Sequence, residues 1–501
     1  MKRQCGILTP VFSLPNEYGI GDFGKGAYEF IGYLKKAGQS VWQILPLVMT
    51  GFGNSPYSSV CSYSFSPYFI SPEELLKKGL ATPEEIEFCK TESTYVDYGF
   101  LYSVRLPLLK KAYSRFDKED AEFKKFKQKG EFYNYALYMA LKYASGQKHF
   151  YEWEDRYKYR DTAALTAFYN DYFDEVDFWQ FVQFEAEREW SALKKYANDN
   201  GISIFGDLPL YPALDSVDVW ENPSIFKLAG NFVPKAVAGV PPDYFCESGQ
   251  LWGNPVYDYQ EMSKDGFSWW ANRIKKALTR FDYIRIDHFR GLDRFYEVPF
   301  GAVDARHGEW VKVPSDELFA AIHRVADKNR IIAEDLGIID DGVRELIKKT
   351  GYPNMKILLF AFNGEKDNLY LPENITENSV CYTGTHDNDT LLGYLSGASA
   401  WDENNFRNGI KNSLEKFSLD LPTDTYLDLA DATIELGFLC KAKMFILPMQ
   451  DVLKKGTEYR INEPGTVKAQ NWAVRLKRED FDEFSAQKLN ALSVKYNRTG
   501  I

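Results

Sequence analysis

Four apolar runs of the sequence end in an acid: Ile202-Ser203-Ile204-Phe205-Gly206-Asp207, Tyr283-Ile284-Arg285-Ile286-Asp287, Ile331-Ile332-Ala333-Glu334 and Val380-Cys381-Tyr382-Thr383-Gly384-Thr385-His386-Asp387. Any one such acid can be a solvated N-cap for the following helix. Together, in a chain that is 16% aromatic, they fit another task. Cleaving a glycosidic bond needs one carboxylate as nucleophile and one carboxylic acid to protonate the leaving oxygen. Side chains alternate along a strand, so Arg285 points the same way as Asp287, and a guanidinium beside a carboxylate favours its ionised form. Asp287 is therefore the nucleophile candidate. A structural ion pair would show the same contact, and only a place at the mouth of a site separates the two readings. Glu334 follows three apolar residues, an environment that raises a carboxyl pKa as a general acid requires. Asp387 is read as holding sugar hydroxyls, and His386 and His288 as hydrogen-bond donors to sugar or acids. A metal reading of these groups finds no motif for the remaining ligands.

The elements must bring these acids together. Short apolar runs alternate with longer amphipathic segments, the pattern of βα units around a parallel sheet. Candidate strands are Cys5–Leu8, Val41–Pro46, Ile202–Asp207, Tyr283–Asp287, Ile331–Glu334, Ile357–Phe360, Val380–His386 and Met444–Leu447. Helical spacing appears at Ala27, Tyr28, Ile31 and Leu34, ended by Gly38, and again over Phe178–Tyr196. Eight strands with intervening helices predict an α/β fold of the (β/α)8 type, whose C-terminal mouth would receive all four acids. A doubly wound open sheet has the same pattern, since strand order is not written in one sequence. Spacing places a mainly helical insertion at 48–175, after the second strand, and a loop-rich insertion lining the groove at 209–265, after the third. The barrel then takes 1–47, 176–208 and 266–501.

Composition narrows the class. With 60 Lys plus Arg against 71 Asp plus Glu, the net charge of −11 disfavours a nucleic-acid partner. The densest apolar run, Ile357–Phe362, is far short of the roughly 20 residues of a membrane span. Six scattered cysteines without metal-ligand spacing read as reduced thiols of a cytoplasmic protein. Most aromatics must be core. Those in Gly/Pro-rich loops, Gly53-Asn54-Ser55-Pro56-Tyr57, Asp243-Tyr244-Phe245 and Gln250-Leu251-Trp252-Gly253-Asn254-Pro255, could instead stack on sugar rings.

Those loops and strand ends carry a resemblance. Ser55-Pro56-Tyr57, Gly206-Asp207-Leu208-Pro209, Gly239-Val240-Pro241-Pro242-Asp243-Tyr244-Phe245, Gly249-Gln250-Leu251-Trp252-Gly253-Asn254-Pro255, Arg285-Ile286-Asp287-His288-Phe289-Arg290-Gly291, Ala333-Glu334-Asp335-Leu336-Gly337, Gly384-Thr385-His386-Asp387-Asn388-Asp389-Thr390 and Asn462-Glu463-Pro464-Gly465-Thr466 resemble the 4-α-glucanotransferases. This family, also called amylomaltases or disproportionating enzymes, lies in the wider α-amylase clan. The resemblance runs from Gly6 to Trp472 in the family's order. It implies that Asp287 is the nucleophile, Glu334 the acid/base and Asp387 the stabiliser of the transition state. It implies sugar contacts from Ser55, Tyr57, Asp207, Trp252, Arg285, His386 and Asn462, with Tyr244 and Phe245 on a loop over the groove. Asn54 departs from the acid found in many relatives, and Phe65-Ser66-Pro67 from the usual Gly-Asn-Pro. The implied reaction needs no cofactor and no metal. An α-1,4-glucan segment passes from a malto-oligosaccharide, starch or glycogen-derived donor to the 4-hydroxyl of glucose or another glucan, with retention. An α-glucan hydrolase and a non-catalytic glucan-binding protein are the alternatives.

Overall fold

The computed structural model describes residues 3–242, 247–337 and 339–500. In chain order its strands are β1 (Gln4–Leu8), β2 (Val41–Gln43), β3 (Ser203–Leu208), β4 (Ala236–Val240), β5 (Gln250–Pro255), β6 (Tyr283–Ile286), β7 (Arg294–Pro299), β8 (Glu309–Lys312), β9 (Ile331–Ala333), β10 (Asn354–Ile357), β11 (Ser379–Tyr382) and β12 (Met444–Pro448). Eight of them close a barrel in the order β1-β12-β11-β10-β9-β6-β3-β2, and every adjacent pair is parallel. Closure settles the choice against an open sheet. The strands are short and apolar because side chains fill the barrel on one face and meet helices on the other.

Crossover helices cover the outside. Lys25–Lys36 links β1 to β2 and buries Ala27, Phe30, Ile31 and Leu34. Gly38 follows it at φ +64°, a conformation open to glycine at no steric cost. The 27-residue helix Phe173–Asp199 leads into β3, its buried face running from Val176 to Trp190 and beyond. Ser268–Arg280, Ser315–His323 and Asp341–Thr350 precede β6, β9 and β10. Between β10 and β11 the described chain contains a 3₁₀ turn and no α-helix. The expected sixth strand, Ile357–Phe360, is displaced: β10 ends at Ile357, and Leu358–Phe360 is that turn, with Leu358 and Leu359 buried. Apolar character there reports burial and not extension.

Between β2 and β3 lie the helices Pro72–Lys77, Pro83–Glu87, Tyr98–Arg115, Ala121–Gln128, Tyr133–Ala144, Asp155–Lys158 and Thr162–Asp171. Rings join them to the barrel: Phe116, Phe123, Phe126, Phe181 and Phe184 pack with centroids 4.9–6.0 Å apart, a geometry worth more than its buried area alone. Residues 209–265, expected to be loop-rich, contribute strands: β4 and β5 join β7 and β8 in an antiparallel sheet ordered β5-β4-β7-β8. Its two halves come from different connections, one after β3 and one after β6.

Candidate active site

Register puts the acids side by side. Asp207 pairs with Arg285 across β3 and β6, and Ile286 pairs with Ala333 across β6 and β9. Asp287 and Glu334 are each the residue after those partners, so they leave neighbouring strands at equal height on the mouth of the barrel. Asp387 lies five residues beyond the end of β11, at the end of a longer loop.

Arg285, 3% exposed, is the hub. Its Nε and Nη2 grip Asp207 at 3.0 and 2.7 Å, and the same Nη2 reaches Asp287 Oδ1 at 2.8 Å. A buried guanidinium is tolerable because both partners are carboxylates in fork geometry. Tyr57, from the loop after β2, donates its hydroxyl to Asp207 Oδ2 at 2.5 Å and accepts from Arg285 at 3.1 Å. Its ring stacks on His386, 5.3 Å between centroids and 8° from parallel. Ser55 accepts from Tyr57 N at 3.2 Å, which shapes that loop. Trp252 sits edge-on to His288 at 4.7 Å, and its indole donates to Gln250.

Backbone donors hold Glu334. His288 N reaches Oε2 at 2.7 Å and Leu336 N reaches Oε1 at 2.8 Å. His288 has φ +47°, a strained left-handed conformation for a residue with a Cβ, and it turns that N–H toward the acid. Asp387 Oδ1 accepts from Asn462 Nδ2 at 2.6 Å, and Arg460 binds the backbone carbonyls of Asp387 and Asn462, both at 2.7 Å. Trp472 packs against both His386 and Tyr57.

Burial raises Asp287 well above the ordinary carboxylate range; Arg285 opposes it, and Asp207, Glu334 and Asp387 add to it. Burial likewise raises Glu334 against the pull of Arg285 and the two N–H donors. Two acids raised together at one site hold a proton that ordinary carboxyls would have lost. Burial pushes the His288 imidazole down to about 4, with Arg290 adding to the effect, and also lowers His386. Both rings are therefore neutral near pH 7 and can donate and accept. Among the described residues, no three His, Cys, Asp or Glu side chains form a metal-holding group, and no helix is long and apolar enough to cross a membrane.

Of the residues singled out in the sequence, Tyr57, Asp207, Arg285 and Asp287 form one network and Asp387 and Asn462 another, with His386 between them against Tyr57 and Asp387, while Glu334 is held by the N–H groups of His288 and Leu336. Trp252 joins through His288, and Ser55 supports Tyr57 from behind. Tyr244 and Phe245 lie outside the described residues. Arg460, Trp472 and the N–H groups of His288 and Leu336 were not anticipated. The only signal for Arg460 was its place two residues before Asn462.

The fold is that of an α/β barrel with two carboxyl groups leaving paired strands side by side at its mouth. A family model described as 4-alpha-glucanotransferase matches residues 9–480. The 4-alpha-glucanotransferase of Clostridium butyricum is 40% identical over 494 residues, covering 97% of this chain and 99% of its own. That of Aquifex aeolicus is 41% identical over 486 residues, covering 96% of each. Among solved structures, the amylomaltase from Streptococcus agalactiae in complex with acarbose superposes with a TM-score of 0.93 at 34% identity, over 99% of this chain and 100% of that one. The chain belongs to the 4-α-glucanotransferase family.

Proposed function

We propose that the chain moves an α-1,4-glucan segment from a malto-oligosaccharide or starch donor to the 4-hydroxyl of glucose or of another glucan, through a covalent intermediate on Asp287. The observation that carries this reading is the side-by-side exit of Asp287 and Glu334 from paired strands, with Arg285 bonded to Asp287 and backbone N–H groups bonded to Glu334. Burial raises both acids, but only Asp287 has a cation bonded to it, so this reading gives the negative charge to Asp287 and the proton to Glu334. Glu334 protonates the glycosidic oxygen as Asp287 attacks the anomeric carbon; the leaving chain departs with that proton. Glu334 then takes the proton of the incoming 4-hydroxyl, whose oxygen displaces Asp287. Two inversions retain the α configuration.

Asp387, held by Asn462, is placed to bind sugar hydroxyls as the ring flattens. Asn462, read from the sequence as a sugar contact, serves on this geometry to hold Asp387. Neutral His386 lies between Asp387 and the Tyr57 ring, and Trp252 offers a face for an adjoining glucosyl unit. The protein's own groups supply this whole sequence of proton and bond changes. The five described cysteines are unpaired and buried, which suits a reducing cytoplasm.

Incubation with maltotriose alone tests the reading. A ladder of longer maltosaccharides plus glucose is expected. Accumulation of glucose and maltose with no longer products would indicate an α-glucan hydrolase instead.

A further inference from the structure

We propose that Arg290 is a positioning residue that fixes the spacing between the loop bearing Asp287 and the loop bearing Glu334. The inference rests on the reading of that pair as nucleophile and acid. Arg290 stands three residues after Asp287, in the 3₁₀ turn Phe289–Leu292, and is 7% exposed. Its Nη2 bonds Asp340 Oδ2 at 3.1 Å. Asp340 closes the loop that begins at Glu334 and caps the helix Asp341–Thr350 by accepting from Val343 N at 3.2 Å. The guanidinium carbon lies 3.9 Å from the ring centroid of Trp310 on β8. A planar fork bonded at its edge and stacked on its face is constrained in two directions, which a flexible ammonium would not match.

A second contact joins the same loops. Asp293 N donates to Arg290 O at 3.0 Å, and the buried Asp293 carboxylate is paired with Lys312. A Cβ added at Gly342, in the first turn after Asp340, would lie 2.6 Å from Asp293 Oδ2. The far end of the nucleophile loop is thus seated on the helix that terminates the acid's loop so closely that a methyl group there would have to displace the Asp293 carboxylate. The near ends are joined by His288 N and Glu334 Oε2. Between these two links the carboxyl groups have a set separation.

That separation governs how strongly the two acids feel one another. Their mutual repulsion spreads the two apparent pKa values that bound the kcat/KM bell, so a looser spacing narrows it. Among the described residues, the charged and titratable groups facing the pair are Arg285, Asp207, Asp387, Tyr57, Asp335, Tyr370 and His288. Of these, His288 also feels Arg290, which helps keep its ring neutral.

The test uses Arg290→Met and, independently, Gly342→Ala, which strains the junction without changing any charge. With maltotriose as substrate, kcat should fall at least about tenfold, as small misplacements of reacting groups do. KM should stay within about threefold and the bell should narrow by about half a pH unit or more. Arg290→Lys, which keeps the charge toward Asp340 without the flat face, should recover part of kcat. A folded Arg290→Met enzyme with the parental bell width overturns the proposal, whether or not its kcat has dropped. Should Arg290→Met not fold, a parental profile in Gly342→Ala overturns it alone. Asp287→Asn, assayed in parallel, separates the two levels: if it stays active, the reading of the pair is what has failed.

Discussion

On the proposed reading, the chemistry at Asp287 and Glu334 reduces to one proton and one negative charge held a strand apart. Asp287→Asn removes the attacking charge and Glu334→Gln the transferable proton. Each is expected to lose at least about 10³-fold in rate with the fold intact; activity within tenfold of the parent, in protein with unchanged circular dichroism, would reject the assignment. The pH dependence follows from the raised pKa values. Catalysis needs Asp287 ionised, so rate is lost as pH falls through its pKa; it needs Glu334 protonated, so rate is lost as pH rises through that one. Both lie above the ordinary values. The acid limb of kcat/KM should therefore fall above the ordinary aspartate range, and Glu334→Gln should erase the basic limb from any residual activity. An acid limb at the ordinary aspartate value would show that burial does not act on Asp287 as the geometry requires. These side chains were legible in the sequence because an acid ending an apolar strand is a residue-type signal. The N–H donors of His288 and Leu336 were not, since every residue but proline has one and only the φ of +47° at His288 reveals its aim.

Elements show the same division. Seven of the eight barrel strands sit within a few residues of their apolar runs, because a strand buried on both faces is written as a continuous apolar stretch. β10 escaped for the opposite reason: it starts with Asn354 and contains Lys356, whose ammonium lies over the Tyr370 ring at 5.1 Å, so its apolar neighbour Leu358–Phe360 drew the reading forward. The outer sheet escaped too. β5 reads Gln-Leu-Trp-Gly-Asn-Pro and alternates between exposed and half-buried positions, a composition that signals turns. This strand carries Trp252, so the element has a testable role. Trp252→Ala should weaken sugar binding by about 1–3 kcal/mol, by analogy with base stacking, and open the intermediate to water. The measurement is reducing ends formed against glucose released from maltotriose; a parental ratio together with a parental KM would make Trp252 an ordinary packing residue against His288.

Across the whole molecule, the barrel depends on close seating of helices on strands. Gly437, in the helix Tyr426–Leu439, faces Phe445 of β12 so closely that an added Cβ would lie 2.1 Å from the ring. Gly437→Ala should cost about 1–3 kcal/mol by overpacking, seen as a lower denaturant midpoint, while activity per folded molecule is kept because the site is at the other end of the strands. An unchanged midpoint would mean that the interface yields more readily than its spacing indicates. The antiparallel sheet β5-β4-β7-β8 has a consequence for how this architecture can diversify. Its inner strands, β4 and β7, pair with one another yet belong to connections separated by the barrel strand that leads to Asp287. Neither segment is a portable module. Transplanting a relative's 236–255 region by itself would set a foreign β4 against the resident β7, and removing either would leave a raw strand edge open to association with other chains. Exchange of this sheet between relatives is therefore expected to succeed when 236–255 and 294–312 travel as a pair, making the sheet a single heritable unit assembled from two distant stretches of sequence.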